Sequence, residues 1–260
     1  MSAKRSTRQI RSMVLALAAM AAISTVSQAA PVTWSTPGNI TGDTDVVTTG
    51  TLERAYNFHN ADATLAPTVN GVVFASFAVT TPAGGDVIST YSSQTVGDTT
   101  LSTTAGSGIG AYNGLDSAAT PFSALSGGYQ DLLKSAVFDA YTTPAIEPLT
   151  LTLASLTSGT PYVFQAWVND SRNIGAVWTR TVTVTSGNVS GALDFNVGNA
   201  DGGLGQYVVG TFTADSTSQV FTFQGDSSTQ IQAFQLRSVP EPTALAVLSL
   251  SGLALMRRRR

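Results

Sequence analysis

The chain has 260 residues, 43% of them hydrophobic and only 11% charged, against roughly 25% charged in an average soluble protein. Thr, Ser, Gly and Ala fill the space that Lys and Glu would take, which favours an extracellular β-rich protein, while regularly spaced apolar runs argue against disorder. The absence of Cys excludes a disulfide framework, a thiolate nucleophile and a Cys-ligated metal; the formal charge of −3 hides basic ends around a centre with five cations against fifteen acids, a balance of −10 that excludes a nucleic-acid face.

The first segment is not part of the fold. Lys4, Arg5, Arg8 and Arg11 precede an apolar stretch from Met13 to Ile23, followed by small residues. This order resembles a bacterial secretory signal peptide, residues 1–29, with Ser27 and Ala29 placed for signal-peptidase cleavage after Ala29.

Residues 30–238 read as one domain dominated by period-two alternation. Strands are expected at Val72 to Val79, Leu149 to Leu156, Tyr162 to Val168 and Trp178 to Val184. Further strands follow at Leu193 to Val197, Tyr207 to Thr213, Gln219 to Phe223 and Ile231 to Leu236. Gly-, Ser- and Asn-rich clusters separate them. Gly106 to Gly110 lacks phosphate-loop spacing and reads as a flexible loop. Only Tyr129 to Phe138 has helical spacing, with Ser126 or Asp131 as its cap. An all-β fold follows, expected as a single β-sandwich of jelly-roll type with one short helix.

Candidate chemistry in this body is sparse. His59 is the only histidine, and no Gly-x-Ser-x-Gly elbow supplies a nucleophile for it. Glu53, Glu147, Asp139, Asp170 and Asp194 are the carboxylates considered for glycoside hydrolysis, but nothing in the sequence pairs them. No catalytic residue is therefore assigned. Asp194, Asn196, Asn199 and Asp201 put oxygen donors on a Gly-rich stretch that could hold a structural Ca²⁺; Asp43 and Asp45 are a weaker version. Trp167 alternates with Tyr162 and Phe164. Exposed, it could stack on a sugar ring, with Asp170 and Arg172 bonding the hydroxyls; covered, it is core. Trp178 carries the same ambiguity.

Leu156 to Asp170 is similar to a segment of jelly-roll, galactose-binding-like modules, in which a Leu-Thr-x-Gly-x-x-Tyr turn leads into a long central strand. Gln206 to Thr213 and Ile231 to Arg237 resemble closing strands of the same kind of domain. The resemblance implies a fold and leaves the ligand open.

The chain ends with Pro240-Glu241-Pro242, an uncharged run from Thr243 to Met256, and Arg257, Arg258, Arg259 and Arg260. As a helix the run spans about 21 Å, short against a hydrocarbon core of roughly 30 Å. The arginines form a cytoplasmic stop signal, and the prolines keep this transmembrane helix from continuing backward into the domain. From Val239 to Arg260 the order resembles the PEP-CTERM sorting signal. That resemblance implies recognition by an exosortase, transient anchoring in the inner membrane, and removal of the tail. Delivery to the surface or extracellular matrix of a Gram-negative bacterium would follow, in company with exopolysaccharide. The expectation is a non-enzymatic structural or adhesive protein; a carbohydrate-binding module and a hydrolase are the alternatives. Its partners are signal peptidase, exosortase and, as a candidate ligand, polysaccharide.

Overall fold

The computed structural model describes residues 30–61, 65–80, 87–88, 91–104, 108–140, 146–172 and 180–240. The signal segment with Ala29, the tail from Glu241 and Pro242 to Arg260, and Trp178 lie outside the described residues. Pro240 is described and exposed. Among the described residues no helix is long and apolar enough to cross a membrane.

The described chain is mostly β-structure. The longer strands are β1 Thr51–Asn60, β2 Ala75–Val79, β3 Thr99–Ser102, β4 Gly108–Tyr112 and β5 Ala136–Ala140. They continue with β6 Leu149–Leu153, β7 Pro161–Val168, β8 Thr181–Ser186, β9 Gln206–Thr213, β10 Gln219–Gly225 and β11 Ala233–Ser238. One sheet runs Thr33–Trp34, β9, β7, β11, β1, β2; a second runs Asn188–Val189, β8, β10, β6, β3, Ser93–Val96. From β6 to β10, successive long strands alternate between these two sheets. A third sheet joins Gln230–Ile231, β5, β4 and Val87–Ile88. Among the described residues pairing is antiparallel except between β1 and β2.

Alternation dictates which side chains meet between the two large sheets. Leu149, Leu151 and Leu153 of β6 point inward while Thr150 and Thr152 stay half-buried. Phe164 of β7 stacks on Phe221 of β10 with centroids 3.9 Å apart and planes within 11°. Phe58, Phe77 and Phe234 extend this cluster. Each such side chain contributes roughly 1.5–3 kcal/mol by leaving water.

A second core covers the outer face of the first sheet. Trp167 of β7, Phe74, Val46 and Ala233 pack there against Phe122 and helix α1, Gly127–Leu133. Strand β7 is therefore covered on both sides. The helix starts where Ser126 Oγ accepts the Tyr129 N–H at 3.2 Å, as an N-cap should. Asp131 is instead inside the helix and pairs with Lys134.

Several boundaries differ from the sequence expectation: Leu149 to Leu156 stops at Leu153 and Leu193 to Val197 shortens to Leu193–Asp194. The predicted helix stops at Leu133, because Val137 enters the inner core and pairs with Ala111 of β4. Val72 to Val79 breaks at Phe74: Val72 and Phe74 serve the outer core, Phe77 and Val79 the inner one. Ile231 to Leu236 breaks at Gln232, where the chain leaves the third sheet for the first. Gly108 to Gly110 is strand rather than loop, with Gly110 opposite Phe138, whose ring occupies the space a Cβ would need.

Candidate functional site: an arginine-lined cleft

Past Val168 the chain leaves β7 as Asn169-Asp170-Ser171-Arg172, and nearly every polar group there is engaged. Asn169 Oδ1 accepts the Gly205 N–H at 2.9 Å, and its carbonyl accepts the amides of Gln230 and Gln232. Asp170 N donates to the Phe195 carbonyl at 2.7 Å, and the Asp170 carbonyl accepts Asn196 Nδ2 at 2.8 Å. These bonds fix the Asp170 side chain, which is 1% exposed.

Two guanidinium groups converge on that carboxylate. Arg172 binds it through both Nε and Nη2, at 2.9 and 2.8 Å, a fork geometry that Lys cannot reproduce. Arg180, at the entry to β8, donates to Asp170 Oδ2 as well. Hydrogen bonding to Asp170 raises the Arg172 pKa above its ordinary value despite burial. The Arg172 guanidinium also lies 5.2 Å from the Tyr112 ring centroid, and that of Arg180 5.4 Å from Phe195, within cation–π range.

Arg172 and Arg180 line a cavity of about 550 Å³. The third sheet supplies one wall: Tyr112 ends β4, Phe138 and Asp139 lie on β5, and Gln230 pairs with Phe138. Ser227 and Ser228, after β10, and Leu115 and Ile146 complete it. Asp139 is 6% exposed. Its Oδ2 accepts the Glu147 N–H at 2.8 Å, whereas its Oδ1 has no donor among the described residues. Burial pushes the Asp139 carboxyl up, against the Glu147 N–H, which lowers it.

The fold redistributes the residues singled out in the sequence. Trp167 is fully buried; its Nε1 donates to Tyr129 Oη at 3.0 Å and its ring meets Phe74 edge-on at 5.5 Å. An exposed platform at Trp167 is therefore corrected to a core position, because α1 covers that face of β7. Asp170 does not reach solvent either: it positions Arg172, and of Trp167, Asp170 and Arg172 it is Arg172 that lines the cavity. Asn196 bonds the Asp170 and Ala200 carbonyls. Asp194 Oδ1 accepts Asn196 N–H and Asp201 Oδ1 accepts the Ser117 hydroxyl, while Asn199 holds a positive φ of 49° in the intervening turn. This turn braces the segment that carries Asp170. Asp45 accepts N–H groups from Thr41 and Gly42, and Asp43 accepts the Ser126 hydroxyl. Among the described residues no three His, Asp or Glu side chains converge.

His59 has a partner the sequence did not disclose. Its Nε2 lies 2.7 Å from Ser76 Oγ across the parallel β1–β2 pair, and its Nδ1 lies 2.8 Å from the Asn60 carbonyl. Burial lowers its pKa, with the Asn60 carbonyl opposing. The imidazole is fully buried, while Ser76 is half-buried. Tyr112, Phe138 and Gln230 are among the cleft residues that sequence reasoning missed; the aromatic residues at the end of β4 and in the middle of β5 were the available signal.

Comparison with known proteins gives no match to a family model, a curated protein or a solved structure.

Proposed function

We propose that this chain is an exported, exosortase-processed surface or extracellular-matrix protein of a Gram-negative bacterium. Its body is a jelly-roll sandwich that adheres to polysaccharide without chemistry. The observation that carries the ligand half is the cleft in which Arg172, Asp139, Gln230 and two serines accompany Tyr112 and Phe138. Donors, acceptors and aromatic planes in one concavity suit a polyhydroxylated ring. Alternation of successive strands between the two large sheets supports the jelly-roll reading. The enclosure of His59 and Asp170 supports a binding role over hydrolysis. Export rests on the signal-like N-terminus and on the three-part tail.

Two measurements test these halves separately. Mass spectrometry of the exported protein should find the tail gone; recovery of intact Arg260 would overturn processing. Polysaccharide-array binding of the exported protein, with and without Ca²⁺, should give retention on at least one glycan and also tests the ion proposed for the Asp194–Asp201 turn. Failure to bind any polysaccharide overturns the adhesive reading.

A further inference from the structure

We propose that the cleft selects an uncharged saccharide unit over an acidic one, with Asp139 accepting a ligand hydroxyl and Arg172 donating to a ligand oxygen. This inference rests on the polysaccharide reading above and adds its chemical class.

Charge is the first argument. Arg172 and Arg180 line the cavity, Asp139 lines it too, and Asp170 stands behind both arginines. Two guanidiniums and two carboxylates leave no net positive charge for an anion. A uronate would have to compete with Asp170, which already takes the Nε–Nη2 edge of Arg172. Its carboxylate would also add a third negative group beside Asp139. The domain around the cleft, with its excess of ten acids between the basic termini, repels a polyanion at longer range.

The second argument is the orphaned acceptor. Asp139 Oδ1 is buried on the residue that walls the cavity and has no donor among the described residues. A buried acceptor without a donor is costly. A sugar hydroxyl both donates and accepts, so it can give its proton to Asp139 and receive one from Arg172. A carboxylate only accepts and cannot serve Asp139. Tyr112 and Phe138, both half-buried on the same wall, offer apolar surface to the C–H face of a pyranose.

Neutral oligosaccharides and oligouronates of equal length are the probes, titrated calorimetrically against the full exported protein, the Asp139→Asn variant and the Arg172→Gln variant. Asp139→Asn keeps an oxygen for the Glu147 N–H and puts an amide donor where the free acceptor stood. The neutral ligand should bind wild type, and each substitution should weaken it at least about tenfold, the scale of a lost hydrogen bond to a charged group. Oligouronates should bind wild type more weakly than the neutral ligand. Tighter binding of oligouronates, or neutral binding unchanged in both variants, overturns the inference while leaving the polysaccharide reading intact. Binding of neither probe, with none on the wider array, removes both. Should Asp139→Asn fail to fold, Arg172→Gln decides alone, because its side chain is 30% exposed and lies outside both cores.

Discussion

Arg237 and the Arg172–Arg180 pair show two ways of keeping a buried cation. Arg237, on β11, gives its donors to backbone: Nε to Thr49 O at 3.0 Å, and Nη2 to Thr48 O and Gly50 O at 3.0 and 2.9 Å. It has no carboxylate partner among the described residues, and burial lowers its pKa. Gly50, at φ +85°, carries the loop so close to Ser238 O that a side chain would collide. Gln165 and Gln235 continue the attachment through Val47 and Asp45. This cation bolts a loop to a sheet. Arg172, by contrast, is held by Asp170 and has its pKa raised. Donation to loop carbonyls marks a fastener; one edge on a carboxylate and a place on a cavity wall mark a cation positioned for a ligand.

The sharpest way to break the contrast is Asp170→Ala. It removes the carboxylate shared by two buried or half-buried guanidiniums, and loss of one partner of a buried pair costs about 3–5 kcal/mol. For a domain of this size that lowers Tm by about 10 °C or more, readable by calorimetry, and ligand binding should go with it. A change within a degree or two would show that Asp170 is not the organising charge of the cleft.

Arg237→Met should cost less, about 1–2 kcal/mol in chemical unfolding. The aliphatic stem remains, and Thr48 and Thr49 are exposed enough for their carbonyls to find water. Polysaccharide binding should survive unchanged. Smaller again is the effect of Arg172→Gln on stability, under about 1 kcal/mol as expected of a partly exposed ion pair, while binding weakens at least about tenfold. The two arginines would thus separate stability from recognition; equal loss of binding in both variants would erase the distinction drawn between them.

How far this was legible in the sequence follows from which faces alternate cleanly. Strands β6, β7, β9 and β10 were readable because each sends Leu, Val or Phe inward at period two. Strand β1 was missed because its other face carries Asn57 and His59, polar groups buried against elements distant in sequence. Asn57 Nδ2 bonds the Leu132 carbonyl and His59 bonds Ser76. No local pattern records such partners. The cleft was half legible: Arg172 was named for sugar contact, but beside Trp167, which α1 covers. Its actual neighbours Tyr112, Asp139 and Gln230 come from strands brought together only by the third sheet. The clusters around Asp170 and around Asp194 to Asp201, separate in sequence, prove to be one hydrogen-bonded unit through Asn196.

Acid titration sharpens the same comparison by the smallest effect. Asp139, on the cleft wall, has its pKa raised chiefly by burial. A raised carboxyl pKa means that the folded state binds the proton more tightly than the unfolded chain. Its contribution to stability therefore increases as pH falls from above the folded value toward the ordinary value near 3.8. Asp226 moves the other way: burial alone would raise its pKa, but hydrogen bonds from Thr181 and Ser227 hold it down. Its stabilisation is present above that ordinary range and is lost as pH falls through its depressed value. Comparing wild type with Asp139→Asn cancels Asp226 and every other shared group. The wild type should gain stability relative to the variant as the pH is lowered from 7 toward about 4. The matched pair at the corner, wild type and Arg237→Met, should show no such slope, because Arg237 does not titrate in that range. A flat difference for Asp139→Asn would mean that its carboxyl is solvated, and would remove the orphaned acceptor from the cleft.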